Sequence, residues 1–178
     1  MAAMAAAFGV AAGAEPYDVT PLHEAAGWRV DHVYDAGAGA GWCSAEVANA
    51  AEQWLSLVGY DDGALILFVG DPTWRLAPRE AAFAVALDGL PWRVEGSTVE
   101  SAFTAHLTTD PAGTAFLAEL SEAGAAEVTG PEGAPLAAFD LRGAEAALAA
   151  LGECWMRIAP AAPEPGVPPR RSAGATQA

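Results

Sequence analysis

The chain contains no lysine: its eight basic residues are all arginine, set against 23 acidic ones, for a net charge of −15. So acidic a surface repels phosphate backbones and anionic lipid, which argues against nucleic-acid and membrane-surface binding. Histidine is almost as scarce, with only His23, His32 and His106. The two cysteines, Cys43 and Cys154, form no Cys-x-x-Cys pair and no Cys/His cluster at zinc-ligand spacing, so no metal or other cofactor is expected. No serine sits in a G-x-S-x-G elbow. No apolar run approaches the roughly 20 residues that span a bilayer.

What remains is a chain of 178 residues, 53% apolar, long enough for one domain with a real core. Much of that apolar share is alanine, so the core leans on six Trp, six Phe and scattered Leu and Val. A GC-rich genome accounts for the abundance of Ala, Gly, Arg and Pro and for the missing lysine. The alternative reading of the charge is selection for a basic partner.

Residues 1–14 are uncharged, small and apolar, and Ala12-Gly13-Ala14 has the small-x-small form of a signal-peptidase site. They read as an export signal or its remnant. The usual basic n-region is missing; a start upstream of Met1 would supply it. An Ala-rich tail on a cytosolic protein is the alternative. In an oxidising compartment Cys43 and Cys154 would close a bridge, with two buried thiols as the alternative. Residues 159–178 are rich in Pro and Ala, carry Arg170-Arg171 and lack large apolar side chains, so disorder is expected there. The folded domain is thus placed at 15–158.

Within it, alternation predicts short strands beginning at Gly27–Tyr34 and Trp42–Ala48, the latter with Cys43, Ala45 and Val47 on one face. Trp54–Tyr60 and Ala64–Val69 flank Asp61-Asp62-Gly63 and predict a hairpin. The uninterrupted run Leu65–Val69 predicts a central strand, broken by Asp71-Pro72-Thr73-Trp74. Further strands are expected at Ala82–Leu87, Trp92–Val99, around Phe103–Leu107, Ala126–Thr129 and Leu136–Leu141. One helix should start at Asp110-Pro111, an N-cap followed by proline, and stop at Gly124. A second is expected over Ala144–Trp155, with Leu148, Leu151 and Trp155 on its apolar face. The pattern is mainly β (α+β): a β-sandwich or a bent antiparallel sheet of about eight strands, with two short helices near the C-terminus.

Few residues suggest chemistry. Cys43 with His32 is the least implausible nucleophile–base pair, and Asp31, His32 and Asp35 form a short Asp/His cluster. Neighbouring strand residues point to opposite faces, however. Asp61-Asp62 fits a turn better than a calcium loop. The glycine-rich stretch 36–41 leads into a strand rather than the helix that a phosphate cradle needs. Trp42, Trp54, Trp74 and Trp92 could line an exposed face for a sugar or peptide, although aromatics in β-rich domains commonly pack across strands.

Three segments carry a resemblance: Gly41-Trp42-Cys43-Ser44-Ala45; Gly70-Asp71-Pro72-Thr73-Trp74-Arg75-Leu76; and Phe139-Asp140-Leu141-Arg142-Gly143-Ala144-Glu145-Ala146-Ala147-Leu148 followed by Cys154. Over Gly27 to Trp155 the chain resembles a loose group of alphaproteobacterial periplasmic proteins. These have an early Cys, a middle P-x-W strand end, and a closing F-x-L-x-G-x-x-A-A-L helix with a late Cys. The closing segment also resembles the invasion-associated locus B proteins. The resemblance implies an exported β-rich domain with a Cys43–Cys154 bridge, and it transfers no catalytic residue. The expected role is a non-enzymatic binding or accessory protein of the bacterial envelope, partnered by another envelope or secreted protein. A periplasmic hydrolase using Cys43 or the Asp/His cluster is the alternative.

Overall fold

The structure is a computed structural model that describes residues 17–107 and 110–159. The export signal at 1–14 and all of the predicted tail beyond residue 159 lie outside the described residues. Ten strands and two helices follow one another as β1 (Tyr17–Ala25), β2 (Trp28–Asp35), β3 (Ala40–Ala48), β4 (Trp54–Tyr60), β5 (Leu65–Gly70), β6 (Leu76–Leu87), β7 (Leu90–Glu100), β8 (Ala102–Leu107), α1 (Pro111–Glu122), β9 (Ala125–Thr129), β10 (Pro135–Asp140) and α2 (Ala144–Ile158).

All ten strands belong to one antiparallel sheet, in the order β1-β2-β3-β4-β5-β8-β7-β6-β9-β10. The fold is the bent sheet, not two facing sheets. Strands β1 to β5 form a meander. Strand β8 pairs with β5 on one side and β7 on the other, so the β6–β7 hairpin continues the sheet in reverse order. The far edge curls back on the first half without closing a barrel. Side-chain amides reach across instead: Asn49 Nδ2 donates to the Ala138 carbonyl at 3.1 Å, and Gln53 Nε2 to the Leu136 carbonyl at 3.0 Å.

Turn chemistry sets the register. Leu87 pairs with Leu90, leaving a two-residue loop of Asp88 and Gly89, whose φ values are +46° and +85°. Two successive positive φ angles match the twist of a hairpin, and glycine adopts the second without steric cost. Asp61-Asp62-Gly63 turns β4 into β5 as expected, with Gly63 at φ +90°. Leu65–Val69 lies in β5, near the middle of the sheet.

One sheet face and the helices enclose the core. Cys43, Ala45 and Val47 of β3 are buried on that face beside Leu55 and Leu57 of β4, Leu67 of β5, and Val30 and Trp28 of β2. Helix α1 starts as predicted, with the Asp110 carboxylate accepting from Gly113 N–H at 2.8 Å and Pro111 in the first turn. Its end differs from the expected glycine stop. Ala123 caps it in extended conformation, and Gly124 is not left-handed. Beyond it the Asp88 carboxylate accepts from the N–H groups of Gly124 and Ala125 at 3.0–3.1 Å, which ties the chain leaving the helix to the β6–β7 turn.

Helix α2 runs three residues past the expected end, and its buried line is Ala144, Ala147, Leu151 and Cys154. Of the predicted face, Leu151 is buried, while Leu148 and Trp155 lie on its flank, partly exposed. Small side chains let the helix lie close to the sheet, and Cys154 bonds Cys43 with Cα atoms 6.0 Å apart. Trp155 rests over Gly59, where an added Cβ would stand 2.7 Å from the indole, and its Nε1 donates to the Tyr60 carbonyl at 3.0 Å.

Strand β1 was absent from the expected set. Its residues are exposed almost throughout, so no apolar alternation marks it. Among the described residues no helix is long and apolar enough to cross a membrane.

Candidate functional site

The four tryptophans proposed as a binding face occupy three places. Trp42 lies on the sheet face opposite the core, edge-on to Tyr17 (centroids 5.6 Å apart) and beside Tyr60 (6.4 Å). Trp92 packs α1 onto β7: its ring meets Phe116 edge-on at 5.6 Å, and its Nε1 donates to the Glu119 carboxylate at 2.6 Å. Trp54 and Trp74 come together, lining one open cleft of about 730 Å³ with Pro72, Arg75, Glu100 and Ser101.

Each indole of that cleft is placed by a specific device. Trp54 opens β4 on the outer face and pairs across with Gly70, the last residue of β5. A Cβ on Gly70 would stand 2.1 Å from Trp54 Cζ2, so the ring occupies the space that a side chain there would fill. Trp74 belongs to the loop after β5, and the buried Asp71 organises that loop. Asp71 N–H donates to the Ser101 carbonyl at 3.0 Å, and its carboxylate accepts from Thr73 N–H at 2.7 Å, from the Thr73 hydroxyl and from Gln53 Nε2. The Thr73 hydroxyl and amide, then Gln53, hold this carboxyl below the ordinary aspartate range. Trp74 N–H closes the turn onto the Asp71 carbonyl, and its ring meets Phe103 edge-on at 5.7 Å.

Arg75 donates through Nη1 to the carbonyls of Pro72 and Trp74, which draws its guanidinium back along the loop. Opposite stands Glu100, whose φ of +39° is unusual for a residue with a side chain. The cleft thus offers two partly exposed indoles, a cation and a carboxylate. Such a set stacks on a flat or ring-shaped ligand and hydrogen-bonds its edge.

The other proposed groups are placed as follows. His32 and Cys43 are direct cross-strand partners on the same face, but the Cys43 sulfur is bonded to Cys154, so no thiolate is available as a nucleophile. The Asp/His cluster is dispersed by the strand. Asp31 Oδ2 pairs with Arg29 Nε at 2.6 Å, His32 faces the other way, and Asp35 accepts the Gly37 and Ala38 N–H groups of a turn. Among the described residues no group of three or more His, Cys, Asp or Glu is placed to hold a metal ion. Of the 36–41 stretch, residues 36–39 turn β2 into β3 and Ala40 and Gly41 already belong to β3, with Asp35 accepting from the Gly37 and Ala38 amides and Asp61 from that of Gly41.

Sequence reasoning missed Gln53, Asp71, Arg75 and Glu100. Asp71-Pro72-Thr73-Trp74 was read as a strand breaker, and the Asp-x-Thr pattern could have signalled a carboxylate capping its own loop. Glu100 leaves no signal, because its role comes from the register of β6 against β7.

Comparison with known proteins adds nothing to this picture: no protein-family model, no curated protein and no solved structure matches the chain.

Proposed function

We propose that the protein is an exported, non-enzymatic binding or accessory protein of the bacterial envelope, and that it holds its ligand between Trp54 and Trp74. The carrying observation is the cleft, which draws two tryptophans from separate elements to one opening flanked by Arg75 and Glu100. The Cys43–Cys154 bond supports the compartment, since such bonds persist in oxidising environments. The likeness to exported β-rich proteins points the same way. A thiol hydrolase is disfavoured by the same bond, which occupies the only two cysteines in the chain.

The mixed character of the cleft suits a wall fragment that carries sugar rings, carboxylates and amines together. The indoles stack on apolar ring faces, Arg75 meets carboxylate, and Glu100 meets amine or hydroxyl. The test titrates muropeptides, released from purified cell wall by a muramidase, into the protein by calorimetry. Saturable binding is expected, weakened roughly 10-fold or more by Trp54→Ala or Trp74→Ala. Trp92→Phe should leave it unchanged. No saturable heat, or equal binding by all variants, would reject the reading.

A further inference from the structure

The sheet face opposite the core carries a second feature that the cleft does not use. Side chains that are cross-strand partners share a face. Tyr17 of β1 therefore shares the outer face with Asp35 of β2. Val19 of β1, Val33 of β2, Trp42 of β3 and Tyr60 of β4 form the neighbouring row on that face, and the Tyr17 ring reaches it edge-on to Trp42, with centroids 5.6 Å apart. Both helices lie on the core side, through Cys154, Leu151 and Phe116, so among the described residues no helix covers this row. Tyr17 is 47% exposed and Trp42 and Tyr60 are half-buried, yet Val33, the partner of Trp42, and Val58, two residues before Tyr60 on the same face, are shielded to 8%. The rings thus form a continuous aromatic ladder over a small apolar floor.

Its rim is acidic. Asp35 lies beside Tyr17, and Asp61 and Asp62 follow directly after Tyr60. Backbone amides fix all three carboxylates: Asp35 accepts from Gly37 and Ala38, Asp61 from Gly41 at 2.9 Å, and Asp62 from Ala64 at 2.9 Å. Neither flanking turn, 36–39 or 61–64, contains a basic residue. The one arginine of β2, Arg29, lies at the other end of that strand, paired with Asp31 beside Glu46.

We propose that the ladder Tyr17–Trp42–Tyr60, rimmed by Asp35, Asp61 and Asp62, docks an arginine-bearing segment of a partner protein. Charge complementarity selects a cation. The partly exposed rings select arginine, whose planar, weakly hydrated guanidinium stacks on aromatics while its N–H fork meets carboxylates. Prepositioned carboxylates do not have to be reoriented when the cation arrives. Steering by the net charge of the whole chain would raise the encounter rate further.

The probe is the blocked peptide Gly-Arg-Gly-Arg-Gly, compared with its citrulline counterpart, which keeps the shape and loses the charge. Binding to isotope-labelled protein is followed by NMR at physiological salt, reading each indole N–H separately. The arginine peptide should saturate with the Trp42 indole shifted and the Trp54 and Trp92 indoles unmoved. Its affinity should fall roughly 2- to 5-fold in Tyr17→Ser, a change on an exposed edge strand that leaves the net charge and the core intact. Asp62→Asn should also weaken binding. Equal affinity for the citrulline peptide, shifts spread over the acidic surface, no saturable shift, or a Tyr17→Ser variant that binds normally would each overturn the proposal. Failure here leaves the cleft reading standing, because Trp54 and Trp74 lie outside the ladder.

Discussion

Replacing Cys43 and Cys154 together by alanine removes a covalent closure between residues 111 positions apart. In the chain-entropy treatment a loop of that size costs the unfolded ensemble about 16 cal/mol/K, or about 4.8 kcal/mol at 25 °C. Both sulfurs are buried, so the double variant also loses core packing, and a total near 5 kcal/mol follows as a lower figure. Domains of this size are stabilised by about 5–15 kcal/mol in all. The bond thus represents a large part of the total, and its loss should lower Tm by roughly 10–20 °C. The assay is urea unfolding followed by circular dichroism, on oxidised protein, on reduced protein and on the double variant. The m-value should rise once the bond is gone, because an uncrosslinked unfolded chain exposes more surface. Trp155 should report early, since α2 then loses its only covalent tie to β3. A loss below about 1.5 kcal/mol in both the reduced protein and the variant would refute the reasoning, because the loop term alone exceeds that threefold.

Three further outcomes are expected. Gly70→Ala places a methyl group where the Trp54 ring lies, so muropeptide binding should fall as far as in Trp54→Ala while the thermal transition stays cooperative; unchanged binding in calorimetry would count against the assigned cleft geometry. Asp88→Ala removes the acceptor for the Gly124 and Ala125 amides and should cost about 1–3 kcal/mol in urea unfolding. Asp88→Asn, which keeps an acceptor and tolerates the positive φ, should cost less. Asp71 and Asp140 have folded-state pKa values below the usual 3.8, Asp71 through Thr73 and Gln53, and Asp140, at about 2, through its hydrogen bonds from Arg142. Their stabilisation is therefore complete above the unfolded value and lost as pH falls through the folded one. The urea midpoint should decline from about pH 4 toward pH 2, and less steeply in Asp140→Asn. The Asp140 share should be small, because the pair is solvent-exposed.

Much of the fold was legible where local chemistry and burial agree. Cys43, Ala45 and Val47 alternate with Ser44, Glu46 and the exposed Ala48, and the Asp61-Asp62-Gly63 turn has at Gly63 the positive φ that its hairpin needs. Strand β1 was not legible, because a strand with both faces exposed has no period to detect. The end of α1 departs from the expected glycine stop because Ala123 leaves the helix in extended conformation, and the chain beyond it is held by Asp88, 36 positions away from Gly124. The buried face of α2 differs from the expected one because helical periodicity weights the large residues Leu148 and Trp155, whereas close packing on a sheet favours Ala144 and Ala147. The proposed tryptophan face divided for a related reason. Composition names aromatics, but strand register decides that Trp54 and Trp74 meet while Trp42 joins two tyrosines. The network that seats the cleft loop, Asn49 to Gln53 to Asp71, also reaches Leu136 and Ala138 more than 80 positions on, a distance no local pattern carries.

The central claim is that this is a bridge-closed binding protein of an oxidising compartment, and peptide mapping of protein taken from fractionated host cells tests it most directly. Free thiols are alkylated at lysis, before digestion without reductant. The account predicts a linked peptide pair containing Cys43 and Cys154, unalkylated, in the envelope or secreted fraction. Alkylated Cys43 and alkylated Cys154 on cytosolic material would contradict it.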